Sequence, residues 1–418
     1  MPGSGIAPSV LSFEEARHVV EREAARVQAP RSEEVDLLSA RGRVLAGLVV
    51  ADRDIPPFPR STRDGYAVRA ADLAHVPAKL EVIGEIKAGE NPGKIPAAIH
   101  RGQTVAIMTG APVPSGADAV VMVEYTSQLG NQVEVTRQVA PGENIVPRGA
   151  EARQGSPLID RGSRLNDAAI ALAASVGHSK LQVYKRPRIA ILTTGDEIVP
   201  IDASPGPTQI RNSNSYSLAI QVEHAGGQPV LLPIAPDEPT RLRELIAEGL
   251  RCDLLLMTGG VSMGRYDLVE QVLSEMQAEF FFTGAKIQPG RPVVFGQCNA
   301  STGEKRATSF FGLPGNPVST MVTFELFARP MLEALAGMTA RKLAFAHARL
   351  KSDIKVKPGL KRFLPAVLSG EFENSQVELV LWQGSGDIAG TARANCYIVI
   401  PPDRDRIPAG EFVPILLR

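Results

Sequence analysis

DLLLMTGGVSMGRYDLVEQVLSEMQ, residues 253–277, reads as a buried strand, a glycine-rich turn and a helix in immediate succession. Its LLLM run has no polar alternation, the pattern of a strand covered on both faces. The same order repeats outward. Upstream, RIAILTT (188–194) is a strand, SYSLAIQVEHAGG (215–227) a helix ending in glycines, PVLLPIA (229–235) a strand and PTRLRELIAEGL (239–250) a helix. Downstream, EFFFTGAKI (279–287), PVVFG (292–296) and ATSFFGL (307–313) are strands, and NPVSTMVTFELFARPMLEALAG (316–337) is a long helix. Alternation of this kind predicts a doubly wound α/β domain over roughly residues 180–337, with a mainly parallel sheet.

Three of these strands end in glycine turns: RIAILTT-GDE, DLLLMT-GGVSMG and SFFG-LPGNPVS. Ligands of open parallel sheets sit beyond the carboxyl ends of the strands. Glycines there let backbone approach a ligand, and helix-opening N–H groups suit phosphate or another oxyanion. Alone, Gly315 and Asn316 would mean a tight turn with Pro317 at the first helical position. Three such turns on one rim point instead to a large phosphorylated ligand. Carboxylates accompany them: Asp196 and Glu197 after Gly195, Asp237 after the PVLLPIA strand, Asp267 after GGVSMGRY, and Asp64 in STRDGY. A hard ion such as Mg²⁺ binds one or two carboxylates plus ligand phosphates; helix capping is the competing role for Asp237 and Asp267. Lys286, Arg291, Arg60 and Arg63 are the nearby cations, suited to oxyanions, with solvated surface charge as the alternative.

Outside this region the texture differs. Ser12 and Glu15 have capping-box spacing, and Ala16, Val19, Val20 and Ala24 follow at helical intervals. From about residue 49, and again over the last 80 or so residues, short β-rich runs alternate with Gly and Pro, which suits small β domains. The whole chain of 418 residues suggests roughly three domains at about 150 residues each. Its 45 Lys+Arg balance 45 Asp+Glu, so no global field recruits nucleic acid or an anionic membrane. No apolar run approaches the ~18 residues of a membrane helix, and no secretory signal is evident, so a cytoplasmic protein is expected. Three distant cysteines and six scattered histidines argue against disulfides or a zinc site. An aromatic content of 5% argues against base stacking as the main activity, whereas 38 Gly and 33 Pro mean many shaped loops.

PPFPRSTRDGYAVR (56–69), MTGAPVPSGADAVVMVE (108–124), LTTGDEIV (192–199), MTGGVSMGRYD (257–267), PGRP (289–292) and GLPGNPVSTMVTFELF (312–327) together resemble the MoeA family and the E domain of gephyrin. These are molybdopterin molybdenumtransferases of molybdenum cofactor biosynthesis, and the matches run in order across nearly the whole chain. The resemblance implies a multidomain α/β plus β fold in an elongated subunit. Its parts would be a discontinuous linking domain (10–49 and 146–182), an inserted β domain (50–145), a MogA-like molybdopterin-binding α/β domain (183–337) and a C-terminal β-barrel (340–418). It implies a homodimer with the active site at the subunit interface, and transient contacts with an adenylyltransferase and with acceptor molybdoenzymes. The implied reaction is Mg²⁺-dependent cleavage of adenylylated molybdopterin, with molybdate inserted into the dithiolene and AMP released. Asp64, Glu197, Asp237 and Asp267 are the expected catalytic residues, and Glu197, Asp237 and Asp267 the metal ligands. Thr109 and Gly110 would shape the nucleotide end. Thr194, Gly195, Asn214, Gly259, Gly260, Pro314, Gly315, Asn316 and Pro317 would contact the pterin and its phosphates, with Ser262, Lys286, Arg291 and Ser319 as oxyanion partners. The chain has Gln288 and Arg291 where relatives carry lysines, and Ala389 and Gly390 where many carry a serine pair. The alternatives are a molybdopterin adenylyltransferase, which the DGYA and TGAP segments disfavour, and a non-catalytic pterin-binding scaffold.

Overall fold

Near-continuous apolar strands need cover on both sides, and they find it. In the computed structural model, which describes residues 10–91, 96–259, 268–299 and 307–417, Gln228–Leu231, Arg188–Thr193, Leu254–Thr258 and Ala307–Leu313 pair in parallel in that order. Val294–Asn299 and Glu279–Phe282 complete the six-stranded sheet in antiparallel. Side chains alternate as the pleat requires. Ile189, Ile191, Leu254, Leu256, Phe311 and Leu313 pack against helix Asn214–Ala225 and the helical run of residues 317–335. Ala190, Leu192, Leu255, Met257 and Phe310 pack against helices Pro239–Gly249 and Leu268–Glu275. The domain is therefore doubly wound.

The EFFFTGAKI segment, expected as one strand, is divided among three sheets. Glu279–Phe282 stays in the α/β sheet, Gly284–Ala285 pairs with Val10–Leu11, and Ile287–Gln288 joins strand Lys361–Ser369 of the C-terminal domain. Gly284 permits this, since a Cβ there would lie 3.0 Å from Val10 Cγ2 and 3.3 Å from the Arg291 carbonyl oxygen. The capping box of Ser12 and Glu15 opens helix Phe13–Ala24, whose Ala16 and Val20 enter the core of the α/β domain. Phe13 lies 6.0 Å from Phe327 and 5.2 Å from Phe363, joining that core to the C-terminal domain. The long helix widens into a π turn at Phe324–Ala328. Such a turn shifts the backbone hydrogen bonds, and the buried Arg17 Nη1 donates to the Leu326 carbonyl oxygen at 2.5 Å.

In the C-terminal domain, Phe345–Leu350, Gln376–Leu379, Lys361–Ser369, Cys396–Ile400 and Phe412–Leu417 form a closed five-stranded circuit. Closure leaves no free sheet edge. Cys396 lies inside it, and burial pushes its thiol up to about 11.

The segment after residue 50 forms a separate six-stranded sheet in the order Ala119–Met122, Gly65–Val68, Gln103–Ile107, Ala78–Ile86, Gln132–Val135 and Thr126–Leu129. Its faces carry different clusters, with Tyr66, Val68 and Val121 on one and Ala67, Val105 and Val120 on the other. The chain around this insertion pairs across it: Ser32–Asp36 with Lys180–Tyr184, and Val49–Val50 with Pro157–Ile159. Among the described residues, no helix is long and apolar enough to cross a membrane.

Candidate active site

The three glycine turns converge at the carboxyl edge of the parallel sheet. Thr194 N donates to the Thr258 carbonyl oxygen at 3.0 Å. Gly259, at φ +91°, lies so close to Thr194 that a Cβ would overlap its carbonyl oxygen, and a Cβ on Gly315 would be 3.4 Å from Gly259 Cα. Small residues are thus what lets the turns close on one another. Asn214, in the first turn of its helix, fastens two of them: its Nδ2 donates to Thr258 Oγ1 at 2.9 Å and to the Gly315 carbonyl oxygen at 2.7 Å. Thr258 Oγ1 and Thr320 Oγ1 both donate to the Pro314 carbonyl oxygen, at 3.2 and 2.5 Å.

Above this scaffold is a cleft of about 760 Å³. It brings together Thr194, Glu197, Asn214, Gly259, Pro314, Gly315, Asn316 and Pro317. Two buried atoms on its wall, Thr194 Oγ1 and Asn214 Oδ1, have no hydrogen-bond partner among the described residues. Leaving a buried polar atom unsatisfied costs about 1–3 kcal/mol, so these atoms are poised to meet polar groups of a ligand. A second cleft, of about 590 Å³, adjoins the first through Ile198 and Asn212 and is walled by Gly195, Asp196 and Pro236.

Glu197 is exposed on the first cleft, and its carboxylate has no hydrogen-bond partner among the described residues. Asp237 lies just beyond the second cleft, with its backbone N donating to Asp196 Oδ1 at 3.0 Å. Burial, and then the negative charges of Asp196 and Glu197, push the Asp237 carboxyl above its ordinary range. Among the described residues no group of three or more His, Cys, Asp or Glu side chains is gathered for a metal. Asp267, Gly260 and Ser262 lie outside the described residues.

Other expected residues stand apart from this cleft. Lys286 and Arg291 are exposed on the segment that crosses to the barrel, of which Pro292 reaches the cleft wall. Ser319 is buried within its helix, its carbonyl accepting from Thr323 Oγ1 at 2.8 Å. Arg60 is ion-paired with Glu151 at 2.9 Å, the surface role that sequence left open. Asp64, Thr109 and Gly110 belong to the inserted β domain, where Asp64 Oδ1 accepts from Thr109 N at 2.6 Å and from Thr109 Oγ1 at 2.7 Å.

The Thr109 backbone N–H and, after it, the hydroxyl hold the Asp64 carboxyl below its ordinary range. With the folded value below the unfolded one, this contact stabilises the fold above the unfolded pKa and is lost as pH falls through the folded pKa. Thr109→Val keeps the N–H and removes the hydroxyl, so the Asp64 titration followed by carboxyl NMR should move part of the way up. An unmoved titration would contradict the assigned contact.

Residues that sequence reasoning missed come from the barrel. Asn316 Nδ2 donates to Ser385 Oγ at 3.0 Å, Val318 N donates to the Ser385 carbonyl oxygen at 3.0 Å, and Gly386 and Ile388 complete the cleft wall. The local signal was the QGSGD turn, in which Asp387 caps its own short helix through Gly390 N at 2.8 Å.

Glycine turns and a helix start meeting in a cleft at the carboxyl edge of an α/β sheet are the arrangement in which doubly wound folds receive phosphate-bearing small molecules. Comparison with known proteins narrows that class. Residues 11–177 match the MoeA N-terminal region (domain I and II), 190–334 a probable molybdopterin binding domain and 347–417 the MoeA C-terminal region (domain IV). The chain belongs to the MoeA family. A molybdopterin molybdenumtransferase of Nostoc sp. is 36% identical over 395 residues, covering 92% of this chain and 88% of that protein. The protein of that name from Bacillus subtilis is 32% identical over 396 residues, covering 92% and 90%. The crystal structure of the molybdopterin biosynthesis MoeA protein from Pyrococcus horikoshii OT3 matches with a TM-score of 0.76 at 28% identity, covering 98% of this chain and 100% of that one.

Proposed function

We propose that this chain is a molybdopterin molybdenumtransferase that cleaves adenylylated molybdopterin, inserts molybdate into the dithiolene and releases AMP. The observation that carries this reading is the cleft itself, where three glycine turns converge and Thr194 Oγ1 and Asn214 Oδ1 are buried without partners. In the reaction, water adds to one phosphorus of the anhydride as the bridging P–O bond breaks, giving AMP and the phosphate of molybdopterin. The two dithiolene thiols form Mo–S bonds and give their two protons to one molybdate oxygen, which leaves as water as its Mo–O bond breaks.

The chain's part is to bind and orient. Thr194 and Asn214 offer the unpartnered polar atoms, and the turn of Pro314, Gly315, Asn316 and Pro317 presents a helix start to the phosphates. Lys286 and Arg291, exposed on the segment beside the cleft, are assigned to molybdate together with Ser262, with Gln288 beside them as a neutral group; Ser319, buried within its helix, is left out of that set. A hard cation suits carboxylates near one another, and Asp196 and Glu197 add their negative charge to burial in raising the Asp237 carboxyl. Glu197, Asp237 and Asp267 would hold Mg²⁺, which would supply Lewis-acid neutralisation of the charge that develops on phosphate. Because Asp64, Thr109 and Gly110 do not line the cleft of their own chain, this reading places them at the cleft of a second copy in a homodimer. It also places the protein in the cytoplasm, in transient contact with the adenylyltransferase that makes the substrate and the molybdoenzymes that take the product.

The test is AMP release from adenylylated molybdopterin with molybdate present. Release should depend on divalent metal, stop with a chelator and return with Mg²⁺. No release under any metal would leave a pterin-binding scaffold, and adenylylation of molybdopterin from ATP without molybdate would mark an adenylyltransferase.

A further inference from the structure

We propose that a basic cavity in the inserted β domain binds a small phosphate-rich anion at a site separate from the cleft. The cavity, of about 480 Å³, is bounded by the 3-10 turn Ala70–Leu73 with His75, the start of strand Ala78–Ile86 and the turn before strand Gln103–Ile107. Arg69, His75, Lys79 and Arg101 stand on its wall. None of these four side chains has an ion pair or side-chain hydrogen bond among the described residues.

The carboxylate on the described wall, Asp72, accepts from Gly102 N at 2.9 Å and offsets one charge of the three from Arg69, Lys79 and Arg101. Glu81, two residues along the same strand from Lys79, accepts from Gln103 Nε2 at 3.4 Å, and Glu134 stands opposite Lys79 on strand Gln132–Val135 without lining the cavity. Gathering like charges around a concavity without partners is unfavourable, and a multivalent anion relieves it through charge-assisted hydrogen bonds. The volume falls in the range of small-ligand pockets. Among the described residues the wall offers Ala71, Ala74 and Leu80 as its apolar share and no aromatic ring to stack on a base, which favours a phosphate-rich ligand over a nucleobase. Strand Gly65–Val68 separates Arg69, at this end, from Asp64 at the other, roughly 16 Å away at the rise of a β-strand.

The test uses the full chain with pyrophosphate as probe, followed by calorimetry and by hydrogen exchange over residues 69–80 and 99–103. The wild type should show slowed exchange in these two segments. Lys79→Ser/Arg101→Ser should weaken pyrophosphate binding there about tenfold or more, with AMP release and circular dichroism unchanged. Arg101→Gln alone should weaken it to a lesser degree, which keeps the test open should the double variant misfold. Higher salt should weaken wild-type binding as the charges are screened. No protection at about 5 mM pyrophosphate, a level that detects even millimolar affinity, would overturn the proposal. So would protection that persists in the double variant, or protection by an oligoglutamate peptide and not by pyrophosphate.

Discussion

Glu197→Ala should leave the protein folded and lower AMP release by about 10²- to 10³-fold, the usual effect of removing one charge-stabilising group from an active site. The two halves of this expectation rest on the same fact. Glu197 is exposed at the cleft and spends no hydrogen bond on its own fold among the described residues, so its loss should change stability by no more than about 0.5 kcal/mol. Thermal melting and AMP release measured on the same preparation separate the two. Near-wild-type release would remove Glu197 from the site. A mixed preparation sharpens the experiment. If Asp64 serves the cleft of a second copy, subunits carrying Glu197→Ala mixed equally with subunits carrying Asp64→Asn regain one intact site in half of the dimers. Activity then returns to about one quarter of wild type; it stays at the background of the two variants if the residues act within one chain.

Gly259→Ala should cost about 2–4 kcal/mol and take the activity with it. The position combines a φ of +91° with a backbone neighbour, the Thr194 carbonyl oxygen, that a Cβ would overlap. Rotation of a flexible side chain cannot relieve this clash. The strand ends at Thr194 and Thr258 would have to part, and their hydrogen bond closes the first two turns. Calorimetric melting should show a lowered transition for the α/β domain, and substrate affinity should fall with it. A variant with unchanged melting would mean that the turns are not packed as described.

Much of this arrangement was legible in the sequence because its causes are local. The unbroken apolar runs at residues 189–192 and 254–257 fix buried strands, and the glycines after them fix the turns, since Gly195 and Gly259 both adopt positive φ. Glu197, Thr194, Asn214 and the turn of Pro314, Gly315, Asn316 and Pro317 could therefore be assigned to one rim before their contacts were known. What stayed hidden depends on distant partners. Nothing near Arg17 announces that a π turn 309 residues later exposes a carbonyl to it. The EFFFTGAKI run has the propensity of a single strand, yet Gly284 breaks it so that three sheets share it. Ser385 reaches the helix start at Pro317 across a domain boundary that local pattern reads as a separation.

That last contact changes what the C-terminal barrel is. Its strand Lys361–Ser369 carries Ile287–Gln288 as an added neighbour, the buried Arg362 donates through Nε to Gln288 Oε1 at 2.8 Å, and the Ser385 carbonyl oxygen accepts from Val318 N at the start of the helix that floors the cleft. The barrel is consequently not a detachable cassette. Grafting it from a relative, or trimming the chain before residue 345, would strip a donor from Gln288 and an acceptor from Val318 together, and the α/β domain left behind would carry an unfinished floor.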